Sequence, residues 1–275
     1  MAYVFPGEGS LDYFPCRYGA SRLMFRGPRR SIERPYVAYL GGTETYGKYV
    51  PDPFPDLVED QIGIGSANLA CVNAGLDVYL SDPDLMKVVR GAAVVVVQIV
   101  GAANLSNRYY SVHPRRNDRF IGATPLLKSL YPEVDFTEFN FTRHMLLTLL
   151  SVSQDRFEVV ADELRRVWVG RMTQLMAALP PRRVLLWMAD HQPPMCARRT
   201  RLTDPFLVDE AMIAQVRPLA TTYVEAISTP QMMLAGLEEM AFPPLESVAA
   251  AGSPSPAVHR HVAQILAQVL EPALQ

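Results

Sequence analysis

The sequence has few cysteines and no histidine pattern typical of a metal site. Its three cysteines, Cys16, Cys71 and Cys196, lie far apart in 275 residues, which excludes a disulfide framework and a cysteine-rich zinc site. The closest two of its five histidines, His259 and His261, would point to different faces of a helix. We therefore expect a cytoplasmic protein with reduced thiols and no bound metal.

The sequence also lacks a long hydrophobic run and an excess of charge of one sign. Its most apolar stretch, residues 94–100, is far shorter than the roughly 20 residues that span a bilayer. Its first residues have neither the basic nor the apolar region of a signal peptide. Because 26 basic residues face 28 acidic ones, bulk charge does not favour nucleic acid. We expect no membrane and no nucleic-acid partner, and the oligomeric state is left open.

Motifs that bind nucleotides are absent as well. Residues 41–48 come near the phosphate-loop pattern GxxxxGK[ST], but neither Ser nor Thr follows Lys48. Gly63 and Gly65 precede an apolar stretch, whereas dinucleotide-binding glycines follow a strand. These absences argue against a kinase, an NTPase and a dehydrogenase, and we expect no cofactor.

What the sequence does contain is an alternation of apolar strands and amphipathic helices. Strands are predicted at residues 37–40, 69–73, 92–100, 183–189 and 220–226. Helices are predicted at residues 53–62, 82–89, 205–217 and 255–270, and in a long apolar stripe after Ser153. This alternation indicates an α/β protein with a three-layer α/β/α fold and a five-stranded parallel sheet.

The domain organisation follows from where the alternation begins and pauses. Residues 1–35 predict an N-terminal Arg-rich arm, and residues 36–275 predict a single α/β/α domain with an insertion at about residues 105–150. Five arginines lie within residues 17–30. The arm is either solvated or an anion-binding lip, because the planar guanidinium group suits phosphate, sulfate and carboxylate.

Polar and small residues follow several predicted strands at the point where each strand ends. Since open parallel sheets bind ligands beyond the carboxyl ends of their strands, we expect a site there. The candidate residues are Gly42, Thr43, Asn73, Gly75, Asn104, Asp190 and His191. Asp190 and His191 form a candidate acid–base pair, since histidine titrates near neutrality. The alternative is that these glycines and His191 are ordinary turn residues.

The insertion begins with a segment rich in arginine and tyrosine, residues 107–120. It follows the third predicted strand, so we expect it to overhang the site. Its candidate residues are Arg108, His113, Arg115 and Arg116. The segment is either a solvated loop or a surface that recognises an anionic or sugar-like ligand.

The order of the strand-end segments resembles the SGNH (GDSL-like) superfamily of esterases and lipases. Residues 40–47 (LGGTETYG) align with its Gly-Asp-Ser block and put Gly42 at the Asp and Thr43 at the nucleophilic Ser. Asn73 matches its second block, and residues 101–104 (GAAN) resemble its Gly-x-Asn-Asp block with one extra residue before the Asn. The similarity covers most of residues 36–270 and implies a flavodoxin-like sheet.

The resemblance also implies roles for the matched residues. Asn104 and the backbone of Gly42 and Thr43 would stabilise an oxyanion, and Gly75 would replace the glycine that the second block has at Val78. The block that carries the catalytic Asp and His resembles residues 250–259, with Ala at the Asp and Ser at the His. The base would then be His191 or His113.

We predict an SGNH-like esterase or acyltransferase with an altered site, acting on an acylated carbohydrate or a small ester. The alternative is a non-catalytic binder of a polysaccharide or an anionic metabolite, which the changed catalytic positions favour. A third option, group transfer from an anionic donor, rests on the Arg-rich segments. Those segments also make the whole chain resemble a bacterial family of domains of unknown function.

Overall fold

The computed structural model describes residues 9–33, 35–195 and 203–274 of the chain. Its strands are β1 (Tyr36–Leu40), β2 (Gly65–Asn68), β3 (Val94–Gln98), β4 (Tyr110–His113), β5 (Arg116–Ala123), β6 (Arg183–Ala189) and β7 (Thr222–Ile227). Five of them form an all-parallel sheet in the order β2-β1-β3-β6-β7. The predicted five-stranded parallel sheet is therefore confirmed.

Helices connect the strands and cover both faces of this sheet. They are α1 (Thr43–Tyr46), α2 (Phe54–Ile62), α3 (Asp77–Leu80), α4 (Pro83–Arg90), α5 (Pro125–Leu130), α6 (Thr142–Val152), α7 (Gln154–Ala178), α8 (Glu210–Val216), α9 (Pro230–Leu234), α10 (Ser247–Ala251) and α11 (Pro256–Leu274). Helices α3, α4, α7 and α8 pack on one face, and α2 and α11 pack on the other. The three-layer α/β/α arrangement is confirmed.

The central strand β3 shows why the sheet lies between two helix layers. Its sequence, VVVVQ, is buried along its whole length, so both of its faces need apolar cover. On one face Trp168 of α7 is fully buried and donates its indole N–H to the Val100 carbonyl oxygen (2.8 Å). On the other face Val262 and Leu266 of α11 are fully buried.

The long helix α7 begins as the sequence predicts. The Ser153 side chain accepts a hydrogen bond from the Arg156 backbone N–H (3.3 Å), which caps the helix. The apolar stripe that continues through Leu164, Trp168 and Leu175 is buried. Local capping and 3–4 spacing were sufficient to place this helix.

The second strand lies earlier in the chain than predicted. We expected residues 69–73, but the strand is Gly65–Asn68, and it pairs with β1 from Tyr36 opposite Gly65. The prediction was wrong because the apolar run Leu69–Val72 lies just beyond the strand, where Leu69 still donates its N–H to Tyr39 of β1 and Cys71 donates to Gly41, the residue after β1. Cys71 is partly buried, and burial raises the pKa of its thiol to about 12.

Two other expectations differ from the structure or fall outside it. The helix expected over residues 205–217 is the shorter α8, because Asp209 caps it by accepting from the Met212 backbone N–H (2.9 Å). Cys196 lies outside the described residues. Among the described residues, no helix has the length and apolar character needed to cross a membrane.

The region of the expected insertion holds an antiparallel hairpin of β4 and β5, followed by α5 and α6. The buried Asn117 attaches this hairpin to the loop after β2. Its side-chain oxygen accepts from the backbone N–H groups of Gly75 (3.1 Å) and Val78 (3.0 Å), and its Nδ2 donates to the His113 carbonyl oxygen (3.0 Å). The hairpin is thereby held against the carboxyl edge of the sheet.

In the described part of the N-terminal arm, two arginines are bonded to oxygens of the rest of the protein. Arg26 is buried and donates to the backbone carbonyl oxygens of Gly47 (2.5 Å), Val50 (2.8 Å) and Pro51 (2.5 Å). Arg30 donates Nε to Glu59 Oε2 (2.9 Å). The arm therefore clamps the loop that follows α1, and these two guanidinium groups are bound by protein oxygens.

Candidate functional site

A cavity of about 540 Å³ lies at the carboxyl ends of β1, β3 and β6. We call it the strand-edge pocket. This is the edge at which open parallel sheets bind their ligands. Its polar lining residues are Thr43, Glu44, Asn73, Gln98, Asn104, Asp118, Thr142, Arg143, Asp190, Thr203, Asp204 and Ser228. The apolar part of its wall includes Ile99, Val100, Phe141, Met188 and Phe206.

Thr43 and Asn73 follow neighbouring strands and hydrogen-bond to each other in both directions. The Asn73 backbone N–H donates to Thr43 Oγ1 (2.9 Å), and that hydroxyl donates to Asn73 Oδ1 (3.0 Å). The Asn73 side chain also donates Nδ2 to Asp118 Oδ2 (3.3 Å). Asn73 has a φ of 55°, a left-handed conformation that asparagine tolerates better than most residues.

Asn104 joins the same hydrogen-bond network from the loop after β3. Its Nδ2 donates to the Asn73 carbonyl oxygen (3.0 Å), and its Oδ1 accepts from Thr142 Oγ1 (2.5 Å). An amide nitrogen has two N–H groups, so the second Nδ2 hydrogen of Asn104 is not used by this bond. The structure thus brings together three of the predicted residues, Thr43, Asn73 and Asn104.

Gly75 supports this network through its lack of a side chain. A Cβ atom at Gly75 would lie 1.8 Å from the Asn104 carbonyl oxygen, so only glycine allows the two loops to approach this closely. The Gly75 backbone N–H donates to Asn117. That N–H is therefore already bonded within the protein, and Gly75 positions Asn104 from outside the pocket lining.

Gln98 organises the loop after β1 from beneath it. Its Oε1 accepts from the backbone N–H of Gly42 (2.9 Å) and from Thr45 Oγ1 (2.6 Å), and its Nε2 donates to Glu44 Oε2 (2.9 Å). Burial raises the pKa of Glu44, an effect that the Gln98 hydrogen bond opposes. The Gly42 N–H, expected to face an oxyanion, is bonded to Gln98.

Asp190 and His191 interact directly at the end of β6. Asp190 Oδ1 lies 2.6 Å from His191 Nδ1, and the imidazole packs edge-on against the ring of the buried Trp187. Asp190 lines the strand-edge pocket, whereas His191 is not among its lining residues. The Thr43 hydroxyl bonds to Asn73 alone, so among the described residues no imidazole reaches it.

The predicted residues of the inserted segment lie away from the pocket lining. Arg108 places Nε 3.3 Å from Oε2 of the buried Glu163 on α7, and its guanidinium lies over the Tyr109 ring. His113 accepts at Nδ1 from the Arg115 backbone N–H (3.2 Å). Arg115 and Arg116 are exposed at the hairpin turn.

The chain before α11 forms another part of the pocket wall, through Gly252, Pro254 and Val258. Here the position expected to match a catalytic His holds Ser253, whose hydroxyl donates to the Ala249 carbonyl oxygen (2.8 Å). His259 is buried within the core and accepts at Nδ1 from the Phe54 backbone N–H (3.0 Å).

Arg143 and Asp204 line the pocket from α6 and from the loop before α8. Arg143 places a guanidinium nitrogen 2.6 Å from Asp204 Oδ2, and its guanidinium also lies over the Phe206 ring. Phe206 is held against the end of β3 because its carbonyl oxygen accepts from the Ala102 N–H (2.9 Å). An ion pair and an aromatic ring therefore close this part of the wall.

Sequence reasoning missed several residues of the site. Glu44, Gln98, Asp118 and Thr142 line the pocket but were not candidates. One signal was available: Gln98 is the first polar residue after four valines in a strand expected to be buried on both faces. A buried polar residue at the ligand-binding end of such a strand indicates a hydrogen-bonding role.

Comparison with known proteins places the chain in a family. Residues 1–274 match the family described as Domain of unknown function (DUF6473). No curated protein matches the chain. Within the described residues, no three His, Cys, Asp or Glu side chains gather as metal ligands would. The resemblance to a family of unknown function is confirmed by a match over almost the whole sequence, and the chain belongs to the DUF6473 family.

Proposed function

We propose that the strand-edge pocket binds a small polar ligand, with carbohydrate as the class that fits best, and that Thr43 orients the ligand without attacking it. The observation that carries this proposal is the reciprocal pair of hydrogen bonds between Thr43 and Asn73. The hydroxyl proton points to an amide oxygen, which cannot act as a base. A threonine becomes a nucleophile only when an adjacent base takes its proton.

The scaffold that we propose is of the SGNH type. Its support is that the segments matched to four motif blocks of that superfamily all reach one pocket: Thr43, Asn73, Asn104 and Gly252 each contribute to the lining. These segments are far apart in the sequence, and their meeting at one pocket supports the alignment with the motif blocks. The positions that the resemblance assigns to the catalytic Asp and His hold Ala250 and Ser253.

Carbohydrate fits the chemistry of the pocket wall. A sugar presents hydroxyl groups that both donate and accept hydrogen bonds, together with apolar C–H faces. The amides of Asn73 and Asn104 both donate and accept, and Asp118 accepts. Phe141 and Phe206 supply apolar surface in the same cavity. Small-molecule sites combine these features, a mostly apolar wall with a few placed polar groups.

Ester hydrolysis is a second candidate function, favoured by the short Asp190–His191 contact. In that mechanism the Nε2 atom of His191 takes a proton from water as the water oxygen adds to the ester carbonyl. The bond between the acyl carbon and the alcohol oxygen then breaks, the imidazolium returns the proton to the departing alcohol, and the carboxylic acid is left. Asp190 would hold the imidazole in the tautomer that this step requires. The carbonyl oxygen would accept from Asn104, as a donor to a developing oxyanion. The expected cytoplasmic location stays a prediction under either function.

A binding screen run beside an esterase assay distinguishes these candidates. The melting temperature of the protein is measured with a panel of mono- and disaccharides, since a ligand of the folded state raises it. Hydrolysis of p-nitrophenyl acetate is followed on the same samples. Asn104→Ala removes the amide from the network, and Asn140→Ala is the matched control because Asn140 is exposed outside the pocket.

We expect at least one saccharide to raise the melting temperature of the wild type and of the control Asn140→Ala. The same saccharide should raise the melting temperature of Asn104→Ala by less. We expect Thr43→Ala to abolish no hydrolysis of the ester, so any turnover seen in the wild type should persist in this variant. The proposal fails if no saccharide stabilises the protein. Turnover lost in His191→Gln but kept in Thr43→Ala would instead establish the hydrolytic candidate.

A further inference from the structure

Among the described residues that line the strand-edge pocket, the charged side chains are mostly acidic. Four carboxyl groups line it, those of Glu44, Asp118, Asp190 and Asp204, against one guanidinium, that of Arg143. Arg143 lies 2.6 Å from Asp204, so its charge is already balanced within the wall. Counted over the described residues, the lining offers a ligand more carboxyl groups than guanidinium groups.

The arginines that the sequence offered for an anionic ligand are elsewhere. Arg108 lies beside the buried Glu163, and Arg26 is surrounded by backbone carbonyl oxygens of the loop after α1. Arg115 and Arg116 are exposed at the hairpin turn and do not line the cavity. Of the guanidinium groups that the structure describes, only that of Arg143 lines the pocket, so they do not form there the cluster that favours phosphate, sulfate or carboxylate ligands.

Glu44 is the carboxyl that is most withdrawn from water. It lies at the start of α1, directly after Thr43, and Gln98 Nε2 holds its Oε2 (2.9 Å). A Cβ atom at Gly42 would lie only 2.9 Å from the same oxygen, so the carboxyl is packed beneath the backbone of the pocket wall. Burial raises the pKa of this carboxyl, so a positive charge bound beside it would stabilise its ionised form, and the two charges would attract more strongly than they would in water.

We propose that the ligand of the strand-edge pocket carries an ammonium group, as an amino sugar does, and that Glu44 selects it. This inference rests on the proposed function, because it concerns the ligand of the same pocket. An ammonium group offers three N–H donors and a positive charge to the carboxylates of Glu44 and Asp118. A ligand carboxylate would be repelled by them.

The test compares sugars that differ in one group only. Calorimetric titrations use glucosamine, glucose, N-acetylglucosamine and glucuronate, and the galactose and mannose counterparts of each. The variant Glu44→Gln keeps an oxygen that can accept from Gln98 and removes the charge. Glu138→Gln removes an equal charge from an exposed residue outside the pocket. Asp118→Asn provides a second variant, and melting curves establish that each protein is folded.

We expect an amino sugar to bind about tenfold more tightly than its neutral and N-acetylated counterparts, a difference of about 1.4 kcal/mol. We expect the uronate to bind most weakly. Glu44→Gln should bring the amino and neutral sugars to similar affinity, and Glu138→Gln should leave the preference unchanged. Equal or tighter binding of glucuronate, or a preference for the amino sugar that survives in folded Glu44→Gln, would overturn the inference. Binding of no sugar at all would count against the proposed function instead.

Discussion

The hydroxyl of Thr43 and the main-chain and side-chain amides of Asn73 form a closed pair at the carboxyl edge of the sheet, with contacts of 2.9 and 3.0 Å. The pair joins the loops after two adjacent strands. The Thr43 hydroxyl is therefore bonded to an amide, whereas a nucleophilic threonine needs an adjacent base. The arrangement favours a pocket whose shape is held by its own hydrogen bonds.

Replacement of Thr43 tests this role. Thr43→Ala should lower the free energy of unfolding by about 1 kcal/mol, because it removes a hydrogen-bonded pair that is partly exposed. Thr43→Ser should lose less, since it keeps the hydroxyl. Denaturant unfolding measures both. Intact-mass analysis after treatment with a fluorophosphonate, which labels activated hydroxyl groups, should show no adduct; an adduct that Thr43→Ala removes would show that Thr43 is a nucleophile.

Gly75 should tolerate no side chain. The added Cβ of Gly75→Ala would lie 1.8 Å from the Asn104 carbonyl oxygen, so one of the two loops must move. We expect a loss of about 3 kcal/mol in unfolding free energy, as for other overpacked sites, together with loss of saccharide binding. Gly122→Ala in β5 is the matched control, because nothing lies within 4 Å of its added Cβ. Equal stability of the two variants would contradict the close approach.

Much of the fold was predictable because its signals are local. The valines of β3 and the capped stripe of α7 identify themselves by composition and spacing. Strand β2 could not be identified in this way. Its four residues, GSAN, are small and polar, and they form a strand because β1 pairs with them. The residues after β2 are more apolar and were predicted to be the strand instead. The sequence of a single strand does not show which distant segment it will pair with.

The candidate site was predictable only in outline. The rule that ligands bind beyond the carboxyl ends of parallel strands located Thr43, Asn73, Asn104 and Asp190, all of which line one cavity. It could not show which side chains would be bonded to others within the protein. The partner of Arg108, for example, is Glu163 on a helix distant in sequence, a relationship that no motif contains.

The buried His259 should make the protein sensitive to acid. Burial, with Arg26 nearby, lowers the pKa of His259 to about 3, so the folded protein keeps this imidazole neutral. In the unfolded chain it takes up a proton below about pH 6.5. Stability should therefore be lost as the pH falls from about 6.5 towards 3, by up to about 5 kcal/mol from this residue.

Measurement of unfolding free energy between pH 7 and pH 4 checks this contribution. Other groups also titrate in this range, so the comparison is with His259→Asn, whose amide oxygen can accept from the Phe54 N–H in place of Nδ1. We expect the variant to lose less stability than the wild type over the same interval. Identical pH dependence of the two proteins would show that His259 is protonated in the folded state.

The arm should matter to the pocket through Arg26. Arg26→Met removes a buried guanidinium that donates to the carbonyl oxygens of Gly47, Val50 and Pro51 in the loop after α1. We expect a loss of about 3 kcal/mol in unfolding free energy. The substitution removes hydrogen bonds that a charged group donates, and it leaves buried carbonyl groups without a donor. Saccharide affinity should also fall, since this loop follows Thr43 and Glu44.

The exposed Arg22 supplies the control for that experiment. Arg22→Met removes an equal charge from the same arm and should change stability by less than about 0.5 kcal/mol, as surface substitutions usually do. If Arg26→Met were as mild as Arg22→Met, the arm would not be the clamp that its contacts indicate.

The central claim is that a polar ligand binds at the carboxyl edge of the sheet, and residue-resolved NMR during a glucosamine titration tests it most directly. We predict concentration-dependent shifts of the backbone amides of residues 42–44, 73–75 and 101–104, which follow β1, β2 and β3 around the strand-edge pocket. Shifts confined to the arm or to the β4–β5 hairpin, with these amides unchanged, would contradict the claim.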